Sequence, residues 1–394
     1  MEKTKVSIQR VSGYEGRSIR RALLENFSFL GGLETFIRPK SHVFVKINHL
    51  SPPSLPEDAI ITHPLFTKEI LRLLLDLGCR ITVGDDIQSK KRDGFLVSGY
   101  REICTSLGIR LVNLKDFGFR EIPCEGEVLT KAYVSPLVLD SDFLINLPKL
   151  KTHSFTVYTG AIKNMYGIIP HGLRCRYHLE FPKIEVFSRM LVDIFSCAPP
   201  HLNIMDAVCG MEGWGPSAGS PRPVGLILAS PDAVALDAVA AKIIGLDPLS
   251  IHTIGIADER GLGTAREERI AVLGEEIRDV RLRDFKQSAM ALGFIRNKIP
   301  SHLYAFIQDQ LVLTPEIVQK KCTKCWECTD ICPNGAARIH GGEVRIDQPL
   351  CIHCMCCHEV CRFHAIVLRQ KPLGRMVRGM IAAHKKIAAR FRIF

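Results

Sequence analysis

The sequence predicts a layered α/β domain with a mostly parallel sheet, followed by a small cysteine-rich α+β domain and a basic C-terminal helix. Strand-like and helix-like stretches alternate over residues 1–280, as in sheets built from βα units. Nine of the fifteen cysteines fall between Cys322 and Cys361, which places a separate module near the C-terminus. Seven basic and no acidic residues follow position 370, so the last segment is a third region.

Composition excludes several classes of protein. The chain has 394 residues, of which 46% are hydrophobic and 24% are charged, as expected for a globular protein with a sizeable core. No uninterrupted apolar run reaches about 18 residues, so no membrane-spanning helix is expected. The N-terminus lacks the apolar stretch of a secretory signal and resembles a first strand. Clustered cysteines beside single, scattered ones are typical of a reducing compartment, so we expect a cytoplasmic protein.

The elements of the first domain follow from apolar runs and their boundaries. Short apolar runs predict strands at 43–47, 81–83, 109–113, 143–147 and 224–229. Helices are expected at 65–77, near 98–107 and at 233–244, and two of them end at Gly78 and Gly245. Thr62 is the expected N-cap of the 65–77 helix. Continuous apolar strands separated by helices favour a parallel sheet that is buried on both faces.

Domain boundaries follow from changes in pattern. We expect the α/β domain at 1–280, a helical connector at 281–312, the cysteine-rich domain at 313–370 and a basic amphipathic tail at 371–394. Apolar residues in the tail recur at spacings near three to four and seven, with arginines and lysines between them. Such a helix suits an anionic membrane surface or the groove of a partner protein. The alternative is packing against the large domain.

The cysteine-rich domain contains the same spacing twice. Cysteines recur as C-x-x-C-x-x-C-x-x-x-C in both halves, at positions Cys322, Cys325, Cys328 and Cys332, and again at Cys351, Cys354, Cys357 and Cys361. Between the halves, residues 337–346 have the pattern of a β-hairpin with Gly341-Gly342 at its turn. Paired CxxC motifs also occur in zinc sites, but zinc ribbons do not need the third cysteine of each run.

This spacing resembles that of bacterial ferredoxins with two 4Fe–4S clusters. The resemblance implies that each half gives its first three cysteines to one cluster and its fourth to the other. One cluster would then be bound by Cys322, Cys325, Cys328 and Cys361, and the other by Cys351, Cys354, Cys357 and Cys332. Arg362 stands where a second proline is expected, and Cys356 is an extra thiol that we expect to pack in the core.

Several segments of the first domain have the composition of ligand sites. The segment 147–153 (LPKLKTH) leaves a predicted buried strand and is expected to enter a loop, where open α/β sheets bind ligands. Residues 206–219 form a predicted glycine-rich loop with two carboxylates, Asp206 and Glu212. Its glycines let a backbone approach a ligand closely and offer N–H groups to an anion. They are Gly210, Gly213, Gly215 and Gly219, the expected cofactor-binding residues.

Together these segments resemble domain-of-unknown-function family 362. The resemblance is carried by 45–48 (VKIN), 151–153 (KTH), 159–164 (TGAIKN), 211–216 (MEGWGP) and the S-P-D-x-x-A-x-D pattern at 230–237. It spans residues 40–265 and continues through the cysteine-rich domain, and it implies an iron–sulfur protein without a settled reaction. The segment around Lys151, His153 and Lys163 is also loosely similar to nickel-pincer lactate racemases, which would place these residues around a small anion.

The candidate catalytic residues are Lys151, His153, Lys163 and Glu212. Lysines are seldom buried without an anion, so we expect Lys46, Lys151 and Lys163 to meet in one pocket. His153 is equally well explained as an acid–base group or as a side chain that caps a turn.

The remaining polar groups also have two interpretations. Asp206 and Glu212 either bind a cation or, as we favour, hold the glycine-rich loop. Asp85-Asp86 are explained equally well by ligand contact and by a turn at a strand end. His171 and His178 lie in a predicted arginine-containing loop that could close over a ligand.

Two functions remain open on the sequence alone. In the first, the chain is an iron–sulfur oxidoreductase whose clusters exchange electrons with a small anionic ligand in the α/β domain. In the second, it is a non-catalytic electron carrier or cluster-handling protein whose α/β domain docks a redox partner protein. A nucleic acid partner is not expected, because the body has few aromatic residues and the basic charge is concentrated in the tail.

Overall fold

The computed structural model describes residues 3–50, 54–87, 93–288 and 313–370. The chain forms two compact units, 1–288 and 289–394. Most of the predicted connector and the whole predicted tail, 289–312 and 371–394, lie outside the described residues. In the part of the chain that is described, no helix is long and apolar enough to cross a membrane.

The first unit contains twelve strands and eleven α-helices in its described residues. The strands are β1 Thr4–Arg10, β2 His42–Ile47, β3 Arg80–Asp85, β4 Arg110–Asn113, β5 Arg120–Pro123, β6 Lys131–Val134, β7 Phe143–Leu147, β8 Lys149–His153, β9 Val157–Thr159, β10 Leu202–Glu212, β11 Ser220–Ser230 and β12 Ile270–Gly274. The helices are α1 Gly16–Leu30, α2 Pro64–Asp76, α3 Gly94–Val97, α4 Tyr100–Ser106, α5 Pro136–Leu139, α6 Ala161–Asn164, α7 His171–Glu180, α8 Ile184–Cys197, α9 Ala233–Ile243, α10 His252–Glu259 and α11 Ile277–Val280.

The central sheet has the strand order β12-β1-β11-β10-β7-β2-β3-β4, and β8 and β9 join it beside β10. Strands β10, β7, β2, β3 and β4 are parallel, β11 is antiparallel to both of its neighbours, and β9 is antiparallel to β8. The prediction of an α/β domain with a mostly parallel sheet is confirmed.

The order of the strands reverses between β2 and β7. From β2 the chain proceeds outward through β3 and β4, and it then returns to place β7 on the other side of β2. In open α/β sheets, ligands bind outside the carboxyl ends of the strands at such a reversal. Thr62 bridges this point, because its hydroxyl donates to the Leu147 carbonyl at 2.6 Å and accepts from the Asn48 amide at 3.0 Å.

Alternation along the strands determines which side chains enter the core. On β2, Val43, Val45 and Ile47 are fully buried in one cluster with apolar residues of α1 and α2. Phe44 and Lys46 alternate with them, as expected when successive side chains point to opposite faces. Both faces of this strand are therefore covered.

Three segments that the sequence predicted as loops are regular structure. Residues 149–153 form β8, which pairs with β10 and β9, because its lysines find hydrogen-bond partners inside the domain. Residues 206–212 are the second half of β10 and pair with β11, so only 213–219 is a loop. His171 and His178 lie on helix α7, which begins after Pro170 and carries an Arg176–Glu180 ion pair across one turn.

The described part of the second unit, residues 313–370, is small and internally repeated. It contains strands β13 Leu313–Ile317, β14 Ala337–His340, β15 Glu343–Ile346 and β16 Ile366–Gln370, and helices α12 Glu327–Asp330 and α13 Cys356–Val360. Strand β13 pairs with β16, and β14 with β15, both antiparallel. The predicted hairpin at 337–346 is confirmed. The core of the unit consists of Val344, Val360 and Ile366 together with several cysteines.

Candidate functional sites

Two cavities in the second unit are each lined by four cysteines. The first is lined by Cys322, Cys325, Cys328 and Cys361. The second is lined by Cys332, Cys351, Cys354 and Cys357. Each cavity thus receives three thiols from one half of the repeat and the fourth from the other half. These are the sets that the resemblance to ferredoxins implies.

The backbone around the cavities repeats with an offset of 29 residues. A 3-10 helix precedes each first cysteine, at Gln319–Lys321 and at Gln348–Leu350. Lys324 and Trp326 have φ values of 56° and 66°, and His353 and Met355 have 55° and 66°. Left-handed conformations are uncommon in residues other than glycine and recur where a chain must wrap tightly around a site. Both loops therefore wrap their cavities in the same way.

Backbone N–H groups point at the fourth thiol of each half. The Ala336 and Ala337 amides donate to Cys332 Sγ at 3.2 and 3.4 Å, and the Ala365 amide donates to Cys361 Sγ at 3.3 Å. Such hydrogen bonds stabilise a thiolate and tune the potential of a metal centre bound to it.

The thiols affect one another electrostatically. Burial and the neighbouring thiols of Cys361, Cys325 and Cys322 raise the pKa of Cys328 to about 12, and burial together with four neighbouring thiols raises the pKa of Cys357 well above its usual value. The pKa of Cys354 is lowered, mainly by a hydrogen bond with the side chain of Cys356. Four mutually repelling thiolates need positive charge between them, which iron or another metal would supply.

Thiols and apolar side chains together form the walls of both cavities. Within the described ranges, no three His, Cys, Asp or Glu side chains come together closely enough to bind a single metal ion. The thiols instead surround volumes that also have apolar walls, which include Val344 and Ile366 in the first cavity and Pro315 and Ile346 in the second. Iron–sulfur clusters are bound by thiolates in surroundings of this kind.

A buried ion pair lies at the start of β8 in the first unit. Lys149 Nζ is 2.8 Å from Asp206 Oδ2, and both side chains are fully buried. Lys149 also donates to the Tyr14 hydroxyl at 2.7 Å, and Asp206 accepts from that hydroxyl and from the His63 amide, each at 2.9 Å. Burial, followed by the charge of Asp206, raises the pKa of Tyr14 far above its usual value, so Tyr14 is a neutral donor.

A second buried ion pair joins β2 to β3. Lys46 Nζ is 2.9 Å from Asp85 Oδ1, and the side chains are 0% and 4% exposed. Burial lowers the pKa of Lys46, while Asp85 opposes that effect. Asp85 also accepts from the His49 amide at 2.7 Å, and Asp86 binds Arg174 of α7 at 2.8 Å. Asp85 and Asp86 therefore have protein partners.

The candidate catalytic residues each have a different partner. Lys151 is 1% exposed and donates to the Ile60 carbonyl at 2.7 Å, whereas the Lys163 ammonium lies 5.9 Å from the centre of the Tyr166 ring. His153 Nδ1 accepts from the amides of Phe155 and Thr156 at 3.0 and 3.2 Å, which closes the turn after β8. A catalytic role for these residues remains a prediction.

Glu212 and the glycines support chain packing. Glu212 Oε2 accepts from the Lys286 amide at 3.0 Å, and Gly213 donates to the Lys286 carbonyl at 2.7 Å. A side chain at Gly215 would overlap the Thr152 backbone, one at Gly219 would overlap the Glu212 carbonyl, and a Cβ at Gly210 would lie 3.1 Å from the Leu150 carbonyl. Close contact between β8, β10 and the 213–219 loop accounts for these glycines. Ligand binding by the loop remains a prediction.

Sequence reasoning missed Lys149 and Tyr14 as partners of Asp206. The available signal was the alternation in 149–153, where Lys149, Lys151 and His153 fall on every second position around Leu150 and Thr152. A period of two predicts a strand with these three side chains on one face.

Comparisons with known proteins show a family and two similar proteins. The model of the family described as "Domain of unknown function (DUF362)" matches residues 43–242. A thylakoid-associated protein of Synechocystis sp. is 32% identical over 265 residues, which cover 67% of this chain and 81% of that protein. A protein of Rhodospirillum rubrum named "Iron-sulfur protein" is 42% identical over 53 residues, 13% of this chain and 28% of that protein.

Among solved structures, the lactate racemase apoprotein of Thermoanaerobacterium thermosaccharolyticum matches 59% of this chain and 55% of its own, with 14% identity and a TM-score of 0.40. A likeness at that level supports no conclusion about chemistry. The family match spans half of the chain, and the Synechocystis relative extends it. The chain therefore belongs to the family of domain of unknown function DUF362.

Proposed function

We propose that residues 313–370 bind two 4Fe–4S clusters and that the protein is an iron–sulfur redox protein. The observation that carries the proposal is the pair of cavities, each lined by four cysteines drawn from both halves of the repeat. The short match to a protein named for iron and sulfur supports it. Bound clusters would each accept and release one electron at a time.

The chain's own residues have defined parts in this proposal. The cysteines would lose their protons as a cluster binds, because only thiolates ligate iron. The left-handed residues in each loop would hold three thiols around one centre, and the amides of Ala336 and Ala365 would stabilise the fourth. With four thiolates on every cluster, no iron has an open position for a substrate, so the clusters would relay electrons.

Anaerobic purification, or reconstitution with iron and sulfide, tests the proposal. We expect a brown protein with broad absorption at about 400 nm. After reduction, we expect EPR signals from two clusters. Replacing Cys328 by Ser and, separately, Cys357 by Ser is expected to remove a different one of the two signals. A colourless protein that carries zinc and gives no EPR signal on reduction would exclude the proposal.

We extend the proposal to a small anionic ligand that exchanges electrons with the clusters and binds at the carboxyl ends of β2 and β7. The reversal of strand order at this point and the buried Lys151 support this site. Lys151→Met is then expected to slow substrate-dependent reoxidation of the clusters and to leave their iron content unchanged. Mass spectrometry of compounds that co-purify with the protein would identify the ligand.

A non-catalytic electron carrier is the second candidate, and one observation favours it. Asp85 and Asp206 already neutralise Lys46 and Lys149 inside the protein, which removes two reasons for an external anion. If the carrier proposal is right, Lys151→Met and Lys163→Ala will leave every electron-transfer rate unchanged. Small anionic ligands that bind the α/β domain will then not reoxidise the clusters.

Peripheral membrane contact through residues 371–394 is a further part of the proposal. It is supported by the basic, periodic sequence of this segment and by the name of the thylakoid-associated relative. Flotation with anionic and with neutral vesicles tests it. We expect the full chain to float with the anionic vesicles and a chain that ends at residue 370 to remain behind.

A further inference from the structure

We propose that three lysines beside the first thiol cavity form a docking surface for an acidic redox protein. The lysine rim consists of Lys320, Lys321 and Lys324. This inference rests on the proposed function, because the surface matters only if the first cavity holds a redox centre. The inference specifies the face of the second unit at which electrons enter or leave. It also specifies that the partner is acidic.

The internal repeat shows that the fold does not require these lysines. With an offset of 29 residues, Lys320 corresponds to Pro349, Lys321 to Leu350 and Lys324 to His353. The backbone is the same in both halves, since the 3-10 helices coincide and residues 324 and 353 have φ values of 56° and 55°. The same loop forms once with three lysines and once without them, so the fold does not depend on the lysine charges.

The rim is placed where a partner could reach it. All three lysines are exposed. Among the residues that the structure describes, none of the three has an ion pair or a side-chain hydrogen bond. Lys321 directly precedes Cys322, and Lys324 directly precedes Cys325, so two of the three lysines adjoin residues that line the first cavity.

The other charges near the first cavity do not cancel the rim. Glu327 and Asp330 on α12 are acidic, with Asp330 exposed and Glu327 partly exposed, so they offset at most two of the three lysine charges. Arg362 follows the fourth thiol of this cavity, whereas Pro333 stands at the matching position of the second. In the second half, the segment 348–359 has Glu359 and no lysine or arginine. The first cavity is therefore the more positive of the two.

An acidic protein is the partner that this surface fits best. Complementary charge steers two proteins together and fixes their orientation while adding little to tight binding, which suits short-lived electron-transfer complexes. Partly exposed Trp326 and Phe363 line the same cavity, and aromatic residues beside cations are typical of interface contacts. A phosphate or lipid surface would use the charges but would gain nothing from their position next to a redox centre.

Electron transfer from the reduced, cluster-loaded full chain to flavodoxin, an acidic protein, and to cytochrome c, a basic one, tests the inference. The double variant Lys321→Glu/Lys324→Glu is compared with Arg338→Glu/Arg345→Glu, which makes the same change in charge on the β14–β15 hairpin. At low ionic strength we expect the lysine variant to reduce flavodoxin about tenfold more slowly than the unmodified chain and cytochrome c faster. The difference should shrink as salt is added.

Two results would overturn the inference. The first is an unchanged flavodoxin rate in the lysine variant, and the second is an equal loss in the arginine variant. If the first result comes with loss of binding to anionic vesicles, the rim is assigned to a membrane. Iron and sulfide analysis of every sample separates these results from failure of the proposed function. If the proposed function is wrong, neither the unmodified chain nor any variant will contain clusters.

Discussion

The carboxylate of Asp237 lies against Gly160, where it accepts hydrogen bonds from the next two amides. Ala161 donates to Asp237 Oδ1 at 2.6 Å, and Ile162 donates to Oδ2 at 3.0 Å. Asp237 belongs to helix α9 and Gly160 precedes helix α6. One contact therefore joins the 159–164 segment to the S-P-D-x-x-A-x-D segment, and both segments lie within the residues that match the family.

Replacement of Gly160 by Ala should destabilise the α/β domain strongly. A Cβ at this position would overlap Asp237 Oδ1 and the Tyr158 hydroxyl, so the buried carboxylate would have to move. We expect a loss of at least about 2 kcal/mol in the free energy of unfolding. Gly172→Ala on helix α7 is the control, because nothing lies within 4 Å of its Cβ and alanine favours a helix.

Urea unfolding measures the effect, and the two tryptophans allow the domains to be separated. In a Trp326→Phe background, Trp214 is the remaining tryptophan and reports on the α/β domain. Equal stability of the two glycine variants would show that Asp237 does not constrain Gly160.

The buried pair Lys149–Asp206 should show strong energetic coupling. Removal of one partner leaves a charge in a site with 0% exposure for both side chains, so Lys149→Met and Asp206→Asn are each expected to cost about 3–5 kcal/mol. The double variant should cost clearly less than the sum, since neither charge is then left alone. Urea unfolding of the four proteins gives the coupling energy, and additive losses would contradict the assignment.

Acid should destabilise the α/β domain partly through His49. Burial lowers the pKa of His49 from 6.5 to about 4, because the charged ring would lose its water. Between these two values the unfolded chain binds more protons than the folded chain. The contribution of His49 is therefore complete above pH 6.5 and is lost as the pH falls to about 4.

Replacement of His49 by Gln tests this linkage, and glutamine can still bond to Ser98, which lies 2.9 Å from His49 Nε2. The variant should be less stable at neutral pH but should lose less stability between pH 6.5 and 4, by at most about 3 kcal/mol. Chemical unfolding at several pH values measures both slopes. Identical slopes would show that His49 does not take up a proton on unfolding.

Mild oxidation should join Cys124 to Cys197. Their sulfur atoms are 3.0 Å apart, and Asp193 on the same helix as Cys197 holds the neighbouring loop through the amides of Glu127, Val128 and Leu129. With hydrogen peroxide, the two thiols would lose two protons and two electrons to form one S–S bond, and the peroxide would become water. Burial raises the pKa of both thiols, so the reaction should be faster at alkaline pH.

Peptide mapping after alkylation detects this bond. Cys104, a buried free thiol, serves as the reference for simple accessibility. A Cys197→Ser chain should leave Cys124 reduced under the same conditions. Alkylation of both residues after peroxide treatment would show that the pair does not form a disulfide.

The strands that the sequence predicted best are the ones with continuous apolar runs. The predicted strand at 143–147 coincides with β7 Phe143–Leu147, because a strand that is buried on both faces is a continuous apolar run. The predicted helix at 233–244 coincides with α9 Ala233–Ile243, in which most residues are buried. The helix at 65–77 was predicted with Thr62 as its cap. The cap is His63, since Thr62 bridges β2 and β7 instead.

Strand β8 has no continuous apolar run, and its one local signal is the alternation of Lys149, Lys151 and His153 with Leu150 and Thr152. Lys149 and Lys151 made 149–153 look like a loop, because burying a lysine costs free energy unless its ammonium group has a partner. The partners are the Asp206 carboxylate and the Ile60 carbonyl. These partners are 57 and 91 residues away in the sequence, beyond the range of any local pattern. The expectation that Lys46, Lys151 and Lys163 meet in one pocket remains a prediction, and it did not consider such internal partners.

The central claim is that eight of the nine clustered cysteines bind two clusters and that Cys356 does not. Iron and sulfide content of three anaerobically reconstituted chains tests it most directly: the unmodified chain, Cys357→Ser and Cys356→Ser. The two variants change adjacent buried thiols, of which only Cys357 lines a cavity. We predict about eight irons per chain for the unmodified protein and for Cys356→Ser, and about four for Cys357→Ser. Equal iron in the two variants, or zinc in place of iron, would contradict the account.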